Sequence, residues 1–462
     1  MTTLQDRMFA ELEDKEVLEV AKARAYQFLD ETPEARPFPT ADEIETALSL
    51  REAMPQSGLS ASDVIDLMHE RAAGAAVNAA GGRYFGFVTG GVLPVALAAR
   101  WLADSWDQNA PLFVTSPVAA IFEEIVEDWL RDLFKLPTET VAGFVSGSSL
   151  GIYSGLAAGR YQLLKNLGWD VNKQGLMGAP RLRVVAGRDA HATAVKAVSL
   201  LGFGTDNIEW VDVDGDGRIR TDLLPPLDDK TLLLMQAGNV NGGGFDDFQT
   251  ICAAARDAGA WTHIDGAFGL WAAAAKDYRH LTAGMEHASS WSCDAHKTLN
   301  TPYDCGIVFC RDKDALNAAL HAAGSYLVQS GDRDGMLYTP ELSRRARAID
   351  VWAALKYLGR DGVDELVSGL CARAMQFHEE LKAEGFEMLI EPSFNQLLFA
   401  CGSDEETERV RAEVQASGEC WAASANWRGR RAIRISVCSW ATTAEDVTRS
   451  VKAFVKARDA RS

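Results

Sequence analysis

The stretch TLLLMQAGNVNGGGFDDFQTICAAARDAGAWTHIDGAFG, residues 231–269, holds the pattern from which the architecture is read. TLLLMQAG is an apolar run of strand length. DDFQTICAAARDAG then spaces its apolar residues as an amphipathic helix does, and WTHID is apolar again and stops at Asp265. The same rhythm extends outward. RLRVVAG (181–187), IEWVDV (208–213), SSWSC (289–293) and CGIVFC (305–310) are further strand candidates between helix-length segments. Repeated strand, helix, strand units predict an α/β fold with a largely parallel sheet covered on both faces, and ligands in such sheets sit beyond the carboxyl ends of the strands.

Flanking this core, residues 1–85 read as a helical arm, broken at ETPEARPFPTADE, whose Pro33, Pro37 and Pro39 cannot continue a helix. The arm has too little apolar surface for a core of its own, and a second subunit is its natural support. The large α/β domain is expected over 86–348. A smaller α+β domain is expected over 349–462, where a long helix is followed by the short runs MLIEP, QLLFAC and AIRISV.

Composition excludes several functions. Lys and Arg number 46 against 65 Asp and Glu, a net charge of −19 that repels nucleic acid and anionic membranes, so neither is an expected partner. A phosphate would then have to be held by local geometry. The eight cysteines show no metal-ligand or redox spacing, which predicts no metal and a reduced, cytoplasmic protein. No apolar run reaches the roughly 18 residues of a membrane span, and the N-terminus lacks the core of a signal peptide.

Four features fall at the ends of expected strands. In GFVSGSSLGIYSGLAAGR, Ser146, Gly147 and Ser148 precede a helix, where free N–H groups and hydroxyls cradle a phosphate or simply cap the helix. His191 follows the 181–187 run, as a solvated or structural histidine or as a flat face for an aromatic ring. Asp265 ends WTHID beside the small Gly266 and Ala267, either as a cap or ion-pair partner or as a carboxylate kept for a ligand. Lys297 lies in SWSCDAHKTLNTPYDCG (290–306), as an ordinary loop lysine or as an amine that attacks a carbonyl. Together they are the parts pyridoxal phosphate requires: a lysine for the Schiff base, a carboxylate for the pyridine nitrogen, an imidazole to stack and a cradle for the phosphate.

From about Gly82 to Trp440 the sequence resembles the group II pyridoxal-phosphate-dependent amino-acid decarboxylases, which include the aromatic amino-acid and glutamate decarboxylases. The resembling blocks, in order, are YFGFVTGG, GFVSGSS, DAHATAVKA, QAGNVNGGGFDD, HIDGAFG, DAHKTLNTPYDCG, SRRARAIDVW and AIRISVCSW, of which the His-Lys pair is the most specific.

The resemblance implies the aspartate-aminotransferase-like fold type I, with a mostly parallel seven-stranded sheet, and a homodimer with sites at the subunit interface. It implies that Lys297 is the Schiff-base lysine, Asp265 the partner of the pyridine nitrogen and His191 the stacking ring. Gly147 and Ser148, with Ser146, would hold the phosphate, and Ala267 would lie against the ring. His296 would position the leaving carboxylate or relay a proton, and Arg434 would anchor a substrate carboxylate. Tyr338, near the family's loop in SGDRDGMLYTPELS, is the candidate that protonates Cα.

Asp294 stands where many relatives carry asparagine, an acid beside an expected phosphate that could instead bind a backbone N–H. Tyr84, Phe85 and Trp106 are candidates for an aromatic pocket, which favours an aromatic over an acidic amino acid as substrate. The implied reaction is decarboxylation to the amine and carbon dioxide. An aminotransferase, an aldolase and a decarboxylation-coupled aldehyde synthase are the alternatives on the same fold, and a cofactor-binding scaffold without activity is the alternative outside catalysis.

Overall fold

The computed structural model describes residues 3–321 and 331–460. Seven strands build the main sheet: β1 (Val141–Val145), β2 (Arg183–Gly187), β3 (Ile208–Val211), β4 (Thr231–Gln236), β5 (Trp261–Asp265), β6 (Ser290–Asp294) and β7 (Gly306–Cys310). Their order is β1-β7-β6-β5-β4-β2-β3, and only β7 runs against the others. The sequence therefore predicts the mostly parallel sheet correctly. In register, Gln236 lies opposite Asp265, Asp265 opposite Ser292 and Asp294 opposite Gly306, so these residues and the end of β1 gather along one edge of the sheet.

Every residue of β1, β4, β5, β6 and β7 is buried, which is why these strands read as nearly unbroken apolar runs. One face carries Leu233, Met235, Ile264, Trp291 and Phe309 against Phe134 and Trp271. The other carries Val184, Leu232, Leu234 and Trp261 beneath a central helix.

Among the described residues six α-helices precede β1, namely α1 (Leu4–Asp14), α2 (Glu16–Glu31), α3 (Ala41–Leu48), α4 (Ala61–Ala72), α5 (Pro94–Trp106) and α6 (Pro117–Leu133), and α7 (Ser148–Asn166) follows it. The central helix is α7, and it meets the sheet through glycines. A Cβ at Gly151 would lie 3.0 Å from Ser292, at Gly155 2.4 Å from the His263 ring, and at Gly159 2.6 Å from Leu232 and Trp261. Glycine lets the helix backbone settle directly on β4–β6.

A second, antiparallel sheet follows, in the order β10-β11-β9-β8: β8 (Glu387–Met388), β9 (Gln396–Ala400), β10 (Ala423–Trp427) and β11 (Arg430–Ser436). Its Leu397, Phe399, Ile433 and Ile435 pack on Phe377 and Phe454 from helices Ala348–Ala383 and Ala444–Asp459. Helices α1–α4 contain no buried residue.

Candidate functional site

The loop leaving β6 is folded back onto the start of β7: the N–H groups of Ala295 and His296 donate to the Cys305 carbonyl at 3.0 and 3.3 Å. This places Lys297 over the edge where the parallel strands end. Its Nζ is 3.1 Å from the Asp294 carboxylate. The same carboxylate accepts from the Ser148 N–H at 2.6 Å and the Ser148 hydroxyl at 2.9 Å, at the first turn of α7. The serine-glycine loop and the lysine thus share one anion. Gly306 makes this possible, because a Cβ there would lie 2.4 Å from the Gly147 backbone.

His296 is buried, and its Nδ1 accepts from the Cys305 N–H at 3.1 Å, so the neutral ring carries its proton on Nε2. Burial holds its pKa below the ordinary histidine value, against the pull of Asp294. Tyr303 stacks on it at 4.3 Å between centroids.

Asp265 ends β5 and accepts from the Ala267 N–H at 3.2 Å. The Ala267 carbonyl in turn accepts from the Asp294 N–H at 2.8 Å, which ties the ends of β5 and β6 together. Burial raises the Asp265 pKa, while the charges of His191 and Lys297 oppose that rise. His191 caps helix Ala192–Leu200: its Nδ1 accepts from the Thr193 N–H and lies 2.6 Å from the Thr193 hydroxyl. Burial pushes its pKa down; Asp265 draws it up, and Lys297 and Arg434 push it further down.

Arg434, on β11, is 8 % exposed and donates to the Val240 carbonyl at 3.1 Å. Among the described residues no carboxylate pairs with it, its Nε has no hydrogen-bond partner, and burial lowers its pKa. A buried guanidinium left this way is prepared for an anion.

Lys297, His296, Asp294, Gly147 and Ser148 are therefore brought into direct contact, with Asp265, Ala267 and His191 along the same edge and Arg434 facing it from the small sheet. Ser146, half-buried, follows β1 directly. Tyr84 is buried and stacks on Trp421 at 5.0 Å between centroids.

Two expected residues lie elsewhere. Phe85 is fully buried in the core of the small sheet, edge-on to Phe377, and cannot line a pocket. Tyr338 packs with Ala315 and Leu316, its ring 4.3 Å from the Arg333 guanidinium, which is held by Glu123 and Glu127. That buried ion cluster, absent from any reading of the sequence, outcompetes the site for the tyrosine ring. The expected loop SGDRDGMLYTPELS begins at Ser330, which lies outside the described residues.

Other residues of the site had no chemical signature in the sequence. Asn300, fully buried, has its amide nitrogen 3.0 Å from the Lys297 carbonyl and 2.9 Å from those of Thr298 and Cys438. Its Oδ1 accepts from the N–H groups of Gly91 and Trp440, both at 2.9 Å. Gly90 presses against the same turn, where a Cβ would meet the Lys297 carbonyl at 2.3 Å. The SRRAR block has a structural purpose: Arg345 and Arg347 bind the Asp304 carboxylate at 3.0 and 3.3 Å and so fix the turn that carries Tyr303. Arg428, 2.8 Å from Asp189, anchors the loop before His191.

These residues fit pyridoxal phosphate. The Ser148 donors at the start of α7 already hold one anion, an amine stands beside it, a buried carboxylate ends β5 next to β6, and among the described residues the Arg434 guanidinium lacks a counter-ion.

Comparison with known proteins agrees. The model of the pyridoxal-dependent decarboxylase conserved domain matches residues 48–401. The acidic amino acid decarboxylase of Bos taurus is 28% identical over 332 residues, covering 69% of this chain and 63% of that protein. The L-2,4-diaminobutyrate decarboxylase of Rhizobium meliloti is 27% identical over 380 residues, 78% of this chain and 74% of that one. The chain thus spans a little over three fifths of the length of the first of these relatives. The crystal structure of mouse CSAD superposes with a TM-score of 0.88 at 19% identity, covering 97% of this chain and 99% of that one, which establishes the shared fold. With a family model matched across most of its length and the lysine, carboxylate and serine-glycine loop gathered at one sheet edge, this chain belongs to the pyridoxal-dependent decarboxylase family.

Proposed function

We propose that this protein removes the carboxyl group of an L-amino acid, releasing carbon dioxide and the amine, with pyridoxal phosphate held at Lys297. The observation that carries the reading is the 3.1 Å approach of Lys297 to the anion seated on Ser148, which unites amine and phosphate cradle in one site. When bound, the cofactor supplies an electron sink conjugated to the substrate Cα.

The chain's own groups do the rest. Lys297 would bind the cofactor's aldehyde, Ser146, Gly147 and Ser148 would receive the phosphate, Asp265 would hold the ring nitrogen protonated, and His191 and Ala267 would be its neighbours at the ring. Arg434 orients a carboxylate, and persistent orientation of the breaking bond is what accelerates its cleavage. His296 keeps a proton on Nε2, and it and Lys297 are the groups placed to return one to Cα. Reduction of the holoprotein with borohydride, followed by peptide mapping, tests the assignment: label on Lys297 supports it, and label elsewhere or none overturns it.

The aromatic-pocket argument rests on Tyr84 alone now that Phe85 is in the core and Trp106 lies exposed at the end of α5. The named relatives act on acidic and diamino substrates, so a carbon dioxide release screen across aromatic, acidic and basic amino acids identifies the substrate. A second reading, decarboxylation coupled to oxidation by dioxygen to the aldehyde, is favoured by the removal of Tyr338 from the site. Assay of peroxide and aldehyde beside amine separates the two.

The helical arm 1–85, the large domain 86–348 and the small domain 349–462 remain our division of the chain, and a homodimer our expected assembly. Among the described residues no helix is long and apolar enough to cross a membrane. All eight cysteines are buried and unpaired, which supports a reducing, cytoplasmic setting.

A further inference from the structure

Asp294 is 1 % exposed, and its carboxylate takes both the N–H and the hydroxyl of Ser148 at the first turn of α7. It has little room to leave them. Its N–H is fixed on Ala267, its carbonyl accepts from the Trp271 indole at 3.2 Å, and the space beside Oδ1 is closed by Gly306. Among the described residues its one close cation is Lys297 at 3.1 Å, and the neutral His296 ring lies 3.7 Å away.

We propose that Asp294 is a built-in occupant of the phosphate cradle: it holds Ser148 and Lys297 in place before the cofactor arrives, and it takes up a proton when the cofactor's phosphate enters. This rests on the cofactor reading above. A phosphate at Ser148 brings a second negative charge into a buried space, and Lys297, once joined to the cofactor, no longer offers its ammonium. Like charges in such a space do not both stay ionised. An asparagine side chain at this position would donate a hydrogen bond without this conflict.

The other titratable groups facing Asp294 are Asp265 at the end of β5, His191 at the start of its helix, Tyr303 and Cys305 before β7, and Cys293 on β6. Each of these feels the Asp294 charge, so Asp294→Asn shifts them as well, and the test therefore pairs the variant with a proton count on the unaltered protein.

The experiment measures dissociation constants of pyridoxal phosphate and of pyridoxal, which lacks the phosphate, for wild type and D294N at two pH values. At about pH 8 the preference for the phosphorylated form is expected to be about tenfold or more greater in D294N, and this gain is expected to shrink toward about pH 6 as protonation becomes easier. Calorimetry of the wild type in two buffers of different ionisation heat, which needs no variant, is expected to show more proton uptake with pyridoxal phosphate than with pyridoxal. Equal preferences in both proteins at both pH values, or no extra proton uptake, overturn the proposal. If borohydride fixes label on Lys297 while these measurements fail, this inference falls alone; if Lys297 takes no label, the cofactor reading falls with it.

Discussion

Asp265 and His191 illustrate how a single charge is shared at the end of a sheet. Burial raises one pKa and lowers the other, so each is most easily ionised when its partner is. Asp265→Asn removes the carboxylate that would hold the ring nitrogen protonated, and kcat is expected to fall by about 10²–10³-fold, the usual loss for one preorganised electrostatic partner. An accompanying shift in the cofactor's absorbance would mark the change at the ring. His296, kept neutral by burial, is expected to lose function only below the ordinary histidine range near about 6.5, so the acid limb of kcat/KM should lie lower than that. An acid limb at or above this value would show that another group governs it.

At the scale of elements, α7 and the sheet are locked by Gly155 and His263. The imidazole lies 2.9 Å from the Ser290 hydroxyl and 3.3 Å from that of Ser292, and burial lowers its pKa to about 3. The unfolded chain therefore binds a proton that the folded chain refuses. Stability should decline as pH falls from about 6.5 toward 3, at about 1.4 kcal/mol per pH unit. Asp246, raised to about 6 by burial, pulls the other way in part of that range. The slope attributable to His263 is thus the difference between wild type and His263→Asn in denaturant titrations at several pH values. Gly155→Ala drives a methyl into the same ring and is expected to destabilise by about 1–3 kcal/mol.

The sheet was legible because β2–β7 are apolar runs of the right length. Two strands escaped: β1 was seen only as the approach to the serine loop, and β10, ASANW, alternates buried with exposed residues and is polar to the eye. The strand ends pointed to Lys297, Asp265 and His191 because chemistry-bearing side chains stood out there. Asn300 did not, since its contribution is the five backbone groups it joins. The place of Tyr338 within the chain was not legible, because spacing along a loop carries no information about the Glu123–Arg333 pair beside its ring.

For the whole molecule, α1 and α2 leave Leu4, Phe9, Leu12 and Leu18 exposed, an apolar stripe suited to a second copy. Light scattering is expected to give the mass of a dimer, and deletion of residues 1–48 to weaken that dimer; a monomeric full-length protein at micromolar concentration would contradict the proposed assembly. Asn300 has a consequence for biogenesis. It joins the turn carrying Lys297 to Cys438 and Trp440, about 140 residues further along the sequence. A nascent polypeptide whose residues up to Trp440 have not yet left the ribosome tunnel lacks that brace, so the segment through Trp440 must emerge before the turn carrying the lysine is fixed.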